Sequence, residues 1–243
     1  MSASDEPVER GPDGQGGPHV FVDDIEAPVL TASDRHHLER VLRIRKGDPL
    51  TVSDGRGWWR SCVYGAPVQA TDEPRLVMLD EPEITIAFTP VKGDRPEWVV
   101  QKLTELGVDR IVVLRSERSV VRWEGERAAK QVERFERVAR EAAMQCRRCH
   151  LPTIEGIADL ASVASRTGAV RADRGGASIA LDTPVVAIGP EGGWTAAERE
   201  VLPDAVGLAD HVLRAETAAV AAGALLTAQR GGWSRGPSPE RPR

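Results

Sequence analysis

The chain has 243 residues, of which 41% are hydrophobic and 28% charged, and a formal net charge of −5 at pH 7. That is enough for one large domain or two small ones around a real core, with a composition ordinary for a soluble globular protein. Excluded are a membrane-spanning helix, since no apolar run approaches the roughly 18 to 20 residues required, and a disulfide framework, since there are three cysteines and MSASDEPVERGPDGQGGPHV has neither the basic nor the apolar region of an export signal, so the cytoplasm is the expected compartment.

Residues 1–17, rich in Gly, Pro and acids, are expected to be disordered, as is the tail GGWSRGPSPERPR over 231–243. Over 18–88 the signals are short and β-like: HVFVDD, PLTVSD, GWWRSCVYG and RLVMLDE lie between Gly, Pro and Asp breaks. One helix interrupts them, with Ser33 as its expected cap and Leu38, Val41 and Leu42 as its buried stripe. A small β-barrel is the expected architecture of this region.

Over 89–230 helices alternate with strands. Asp94 is the expected N-cap of RPEWVVQKLTELG, with Val99, Leu103 and Leu106 on one face and Gly107 as the stop. RIVVLR reads as a strand. EGERAAKQVERFERVAREAAMQC reads as a long helix with Val132, Phe135, Val138, Ala139 and Ala142 along its stripe. IADLASVA is expected to be a short helix, the polar Gly-rich run 169–178 a mobile loop, and SIALD and VVAIG strands. TAAEREVL, HVLR and ETAAVAAGALLTAQR follow as helix, short strand and closing helix, the last rich in small residues that allow close helix approach. The pattern is α/β with a largely parallel sheet.

Charge is unevenly spread. Residues 115–150 carry ten Arg or Lys against six acids, and DRHHLERVLRIRKGD carries five against three. These segments read either as solvated helix faces laced with pairs such as Glu133–Arg137 and Glu136–Arg140, or as nucleic-acid contacts.

The stretch VVAIGPEGGWTAAERE is a strand, a glycine loop and a helix start. It lacks the Lys-Ser/Thr of a phosphate cradle and the GxGxxG of a dinucleotide site. Two readings remain: a tight turn with Thr195-x-x-Glu198 as a capping box, or a loop whose backbone groups and carboxylate hold a ligand with cationic and neutral polar groups, for which S-adenosylmethionine qualifies. HVLRAETAAVAAG again runs strand, polar corner, helix, and two such corners on adjacent parallel strands would form one crevice at the carboxyl edge of the sheet.

IGPEGG followed by LRAETA resembles the SPOUT-class methyltransferases, and within them the small-subunit ribosomal RNA uridine-N3 methyltransferase family called RsmE. HHLERVLRIRKGD, KGDRPEWVVQKLTELGVDRIVVLRSERSVVR and REAAMQ match the family pattern in order, over residues 19–230. The resemblance implies a PUA-like RNA-binding β-barrel at 18–88 and a trefoil-knotted α/β methyltransferase domain at 89–230. It also implies homodimerisation, S-adenosylmethionine as cofactor, and the 16S ribosomal RNA of the small subunit as substrate. Carried over by motif, the cofactor-binding positions are Gly189, Glu191, Gly192 and Gly193 in the first loop and Leu213, Arg214, Glu216, Thr217 and Ala218 in the second.

Methyl transfer from a sulfonium needs no metal, but uracil N3 carries a proton that must leave. Arg214 is the candidate to stabilise the uracilate charge and Glu216 the candidate base; the competing reading is a mutual ion pair that fixes the corner. Arg40, Arg43, Arg45 and Lys46 are candidate phosphate contacts in the first region, and Lys92, Arg95, Lys102, Arg115, Arg118 and Arg122 candidates along the route to the site. Trp58 and Trp59 fit either base stacking or core packing. The alternatives are another RNA position, a ribose oxygen, or a non-catalytic ribosome-assembly factor. Cys146-x-x-Cys149-His150 is the haem-attachment string, but without an export signal it reads as incidental. The chain departs from the family pattern at His19-Val20-Phe21-Val22, where Arg-Phe-Phe-Val is usual, and at Leu208-Ala209-Asp210-His211-Val212, where an arginine is usual in place of His211.

Overall fold

The computed structural model describes residues 11–233. The expectation of disordered tails therefore lies partly outside the described residues. Residues 11–17 form neither helix nor strand, and the carbonyl of Gly17 accepts a hydrogen bond from Arg147.

The chain divides into two compact units. One runs to Leu79 and takes in Arg140–Leu151; the other holds Asp80–Ala139 and the chain from Pro152 onward. The division falls earlier than residue 88, and the end of one long helix belongs to the first unit.

In the first unit, β1 (His19–Phe21), β2 (Pro49–Ser53), β3 (Trp58–Val63), β4 (Gln69–Ala70) and β5 (Arg75–Leu76) form one five-stranded sheet. β1 pairs parallel to β2, and β2–β3, β3–β4 and β3–β5 are antiparallel. Val20, Leu50 and Val52 point into a core with Leu38 and Tyr64. RLVMLDE forms only two residues of strand, and Met78 and Leu79 are exposed.

The helix α1 (Ala32–His36) is capped by Thr31, whose Oγ1 accepts from the Asp34 amide at 3.0 Å, rather than by Ser33. A π-helical turn, His37–Val41, follows, closed by Leu42 N–H on the His37 carbonyl at 3.1 Å. This wider winding breaks the 3.6-residue period: Leu38 is fully buried, whereas Val41 and Leu42 are exposed. Buried Asp34 is held bidentately by Arg140, at 2.9 Å for each oxygen, and the same guanidinium donates to the Phe21 carbonyl. The arginine of REAAMQ thus secures the first unit.

Trp59 is buried under the Arg75 guanidinium, 4.0 Å from its ring centre, and Trp58 is 41% exposed. Core packing is therefore settled for Trp59 only. In the CxxCH string, Cys149 is buried, with its thiol pushed up to about 12 by burial. Ser53 donates to the Cys149 carbonyl at 2.9 Å, and His150 Nε2 meets the Val77 carbonyl at 2.7 Å.

In the second unit, β6 (Thr85–Phe88), α2 (Arg95–Leu106), β7 (Arg110–Arg115), α3 (Gly125–Cys146, its last residues in the first unit), β8 (Thr153–Asp159), α4 (Leu160–Ala164), β9 (Ala169–Ser178), β10 (Val185–Ile188), α5 (Ala196–Val201), β11 (Ala205–Gly207) and α6 (Ala215–Arg230) follow in order. The six strands form one parallel sheet, ordered β11-β9-β10-β6-β7-β8. Alternate residues face opposite layers: Ile86, Ile111 and Val186 join one cluster with Phe135 and Leu226, while Ala87, Val112 and Ala187 join another with Leu160 and Trp194. Both faces are covered, as an all-parallel sheet requires.

Several expectations change here. ITIAF is the central strand β6 rather than part of the barrel region. TIEGIAD forms β8, which the short-helix reading of IADLASVA had missed; only Leu160–Ala164 is helical, capped by Asp159. Residues 169–178 are strand β9 rather than a mobile loop, and SIALD lies almost wholly outside any strand. HVLR is not a strand; the strand there is β11, which ends at Gly207 ahead of His211, because Val206 is buried while Val212 is 79% exposed.

Gly107 ends α2 in the left-handed conformation, φ 90°, as expected, but Asp94 makes no side-chain cap bond. Gly223 lets α6 meet α2: a Cβ there would stand 2.8 Å from Leu103 Cδ2. No helix among the described residues is long and apolar enough to cross a membrane.

Candidate functional site

The candidate site is built at the carboxyl edge of this sheet. β10 is buried along its whole length and delivers the chain into Gly189-Pro190-Glu191-Gly192-Gly193. The turn is closed by Gly193 N–H on the Pro190 carbonyl at 2.8 Å, with Gly193 at φ 67°. Gly189 lies flat against an indole: a Cβ would stand 2.9 Å from Trp194 Cε2. Trp194 is in turn pinned, its Nε1 donating to the Ala172 carbonyl at 2.9 Å.

The expected capping box is present. Thr195 Oγ1 accepts from Glu198 N–H at 3.2 Å, and Glu198 Oε2 accepts from Thr195 N–H at 2.8 Å. Glu198 does more than cap: its Oε1 accepts from Ser116 Oγ at 2.6 Å and from Glu117 N–H at 3.0 Å. Burial pushes this carboxyl up, but the hydrogen bonds from Ser116, Thr195 and Glu117 outweigh it and hold the group below the usual range. The glycine-loop helix is thereby bolted to the segment that follows β7.

The third wall comes from β9. Its pairing with β11 jumps from Arg171–Ala205 to Ala177–Val206, so residues 172–176 step out of the ladder. Buried Arg171 donates to the Leu202, Pro203 and Asp204 carbonyls, and Asp173 pairs with Arg171 and Arg199. The second corner, after β11, contributes Leu208, His211 and Leu213, and α6 contributes Ala215 and Ala218. β9 lies between β10 and β11, so the two corners do not follow adjacent strands; they nevertheless face one cleft of about 220 Å³.

Of the sequence-derived cofactor positions, Gly189, Glu191, Gly193, Leu213 and Ala218 line this cleft; Gly192, Arg214, Glu216 and Thr217 do not. The Gly192 carbonyl instead accepts from Arg118 Nη1 at 2.7 Å. Sequence reasoning missed Ala172, Asp173, Arg174 and Trp194, all on the wall. A tryptophan directly after the glycine loop was the available signal.

The mutual pairing of Arg214 and Glu216 is not observed. Glu216 pairs with Arg95 at 3.1 Å, and its Oε2 is buried without a hydrogen-bond partner among the described residues. Arg214 is exposed, and its side chain makes no hydrogen bond or ion pair among the described residues. Lys102 is paired with Glu105 at 2.8 Å. Lys92, Arg115 and Arg122 are exposed, as are Arg40, Arg43, Arg45 and Lys46 in the first unit. Among the described residues no group of three or more His, Cys, Asp or Glu could hold a metal ion.

Residues 79–227 match the model of an RNA methyltransferase domain. The chain is 29% identical over 229 residues to ribosomal RNA small subunit methyltransferase E of Bacillus subtilis (79% of this chain, 87% of that one). It is 30% identical over 223 residues to the protein of the same name from Mycobacterium bovis (81% and 85%). Among solved structures, a putative methyltransferase of Legionella pneumophila in complex with the bound cofactor SAM superposes with a TM-score of 0.77 at 25% identity, covering 88% of this chain and 98% of that one. A wall of glycine backbone, indole and helix alanines at the carboxyl edge of a parallel sheet, inside a match of this extent, leaves one conclusion: the chain belongs to the RNA methyltransferase family, alongside the relatives named ribosomal RNA small subunit methyltransferase E.

Proposed function

We propose that this protein is an S-adenosylmethionine-dependent methyltransferase that modifies N3 of a specific uridine in the 16S ribosomal RNA of the small subunit. The observation that carries the reading is the single cleft shared by the GPEGG loop and the LRAETA corner. The residues fit the cofactor. Gly189 leaves its wall flat against Trp194 where a Cβ would not fit, Ala215 and Ala218 keep α6 close, and the Glu191 carboxylate stands at a site for a ligand with cationic groups. When bound, S-adenosylmethionine supplies a methyl group activated on a sulfonium.

The chain's own contribution is positioning and electrostatics. Gly189, Gly193 and Leu213 orient the cofactor, and buried Trp194 excludes water from its floor. Arg214, with no protein partner among the described residues, steadies the negative charge on uracil as N3 loses its proton. Glu216 is the proton acceptor in this scheme: Arg95 holds one carboxylate oxygen and the other is unpartnered.

Exposed cations serve as phosphate contacts in this reading, Arg40, Arg43, Arg45 and Lys46 in the first unit and Lys92, Arg115, Arg118 and Arg122 in the second, each unit taken by itself. Arg95 and Lys102 are committed to Glu216 and Glu105 and contribute less. The proposal includes a PUA-like barrel for the first unit, supported by its five short strands, and a trefoil knot in the second. It also includes a homodimer, supported by exposed Trp98, Val212 and Leu225, at work in the cytoplasm.

The test incubates the protein with labelled S-adenosylmethionine and small subunits from a strain lacking the modification. A new reverse-transcription stop at one uridine is expected, because an N3 methyl blocks base pairing. Label on a ribose or on another RNA would replace the proposed target, and label on no RNA would favour a non-catalytic assembly factor.

A further inference from the structure

Arg118 occupies an unusual position for an exposed cation. It lies in a tight turn after β7, closed by Ser119 N–H on the Ser116 carbonyl at 3.1 Å and by Ser116 N–H on Ser119 Oγ at 3.0 Å. Buried Glu198 anchors that turn through Ser116 Oγ and Glu117 N–H. From this base the Arg118 stem runs along Gly192, where an added Cβ would lie 3.4 Å from both its Cβ and its Cδ. Its Nη1 donates to the Gly192 carbonyl at 2.7 Å. That bond uses one of the five donors of a guanidinium. The side chain is exposed and makes no ion pair among the described residues, and neither do Arg115, the last residue of β7, and Arg122 on the segment that follows it.

We propose that Arg118 couples RNA binding to cofactor binding, one edge of its guanidinium holding the cofactor loop through Gly192 while the other takes an RNA phosphate. This rests on the function proposed above and extends it from two binding events to a linked pair. The physical basis is the geometry of arginine: a planar fork serves two acceptors at once, whereas a lysine ammonium is a point charge on a flexible stem. An exposed arginine loses rotamer freedom when a phosphate fixes it. That ordering presses the same side chain onto Gly192, so the next ligand meets a loop already in place. Arg118 is a positioning residue in this scheme, since it acts on the cofactor through the loop backbone. Linkage makes the effect reciprocal, and each ligand should tighten the other by the same factor, about five- to tenfold.

The experiment measures the dissociation constant of S-adenosylhomocysteine by calorimetry, alone and with saturating unmodified small subunits, and that of the subunits with and without S-adenosylhomocysteine. Wild type is expected to give one coupling factor of about five to ten from both directions. In Arg118→Lys, which keeps the charge, the factor should fall to about one even if either affinity measured alone is altered. A thermal melt of each variant, together with the ratio itself, separates this from simple loss of structure, because instability changes single affinities and not their reciprocity. Coupling retained in Arg118→Lys overturns the proposal. So does a wild type that binds both ligands and methylates RNA with a factor of one, which leaves the proposed function standing. A wild type that binds neither ligand overturns both.

Discussion

Replacing Gly189 with alanine tests the cofactor wall directly. The added Cβ would stand 2.9, 3.1 and 3.2 Å from Cε2, Cζ2 and Cδ2 of Trp194, where carbon atoms prefer about 3.5 to 4.0 Å. The indole has no easy retreat: it is 5% exposed, packs with Ala187 and Leu202, and donates to the Ala172 carbonyl at 2.9 Å. Either the ring moves by about half an ångström and loses that bond, or the glycine loop backs away. Overpacking of this kind costs about 1 to 3 kcal/mol. Trp194 and Ala172 both line the cleft, so the relaxation distorts it. S-adenosylhomocysteine should then bind roughly 10- to 100-fold more weakly by calorimetry, at about 1.4 kcal/mol per decade. Gly192→Ala provides the contrast, since its Cβ would only touch the aliphatic stem of Arg118 at 3.4 Å; its loss should be several-fold smaller. A folded Gly189→Ala protein that binds within twofold of wild type, or a Gly192→Ala protein equally impaired, would refute the reasoning.

Arg214→Ala should lower single-turnover methyl transfer by about 10²- to 10³-fold with far less change in cofactor affinity, as rapid-quench and calorimetric measurements together would show. Burial first, and the Arg147 charge second, hold the His19 imidazole down from 6.5 to about 4. Between those values the unfolded chain binds the proton and the native one does not, so the contribution is complete above 6.5 and falls as pH drops to about 4, by up to roughly 3 kcal/mol. Urea unfolding across that range should show the slope in wild type and its loss in His19→Gln. Arg230→Met removes the guanidinium from Asp109, the two side chains being only 9% and 6% exposed, and should cost about 3 to 5 kcal/mol in urea unfolding, with partial recovery when Asp109→Asn is added. Removing Arg40, Arg43, Arg45 and Lys46 together should flatten the salt dependence of RNA binding by about two to four units of log–log slope.

Legibility in the sequence followed the range of the interactions. The Thr195–Glu198 capping box spans one helical turn and could be read from four letters. The same glutamate's bonds to Ser116 and Glu117 could not, because they join segments some 80 positions apart. Strand β9 looked like a loop because Arg171, Asp173 and Arg174 are polar; what makes it a strand is the set of carbonyls at Leu202, Pro203 and Asp204 that receive the buried arginine. Val41 and Leu42 fit a helical stripe on paper, and only the π winding turned them outward. Arg95 and Glu216 were each assigned a separate task, and neither pattern of residues indicated that they would meet.

Helix α6 is the last regular element among the described residues, yet Ala219, Ala222 and Leu226 are wholly buried in the main core and Ala215 and Ala218 form part of the cleft. A ribosome making this chain must therefore release α6 before the binding wall is complete. A message cut short ahead of Ala215 would yield a product with a bare apolar seam and an incomplete cleft. Completion of the cleft thus waits on the first turn of α6, which supplies Ala215 and Ala218.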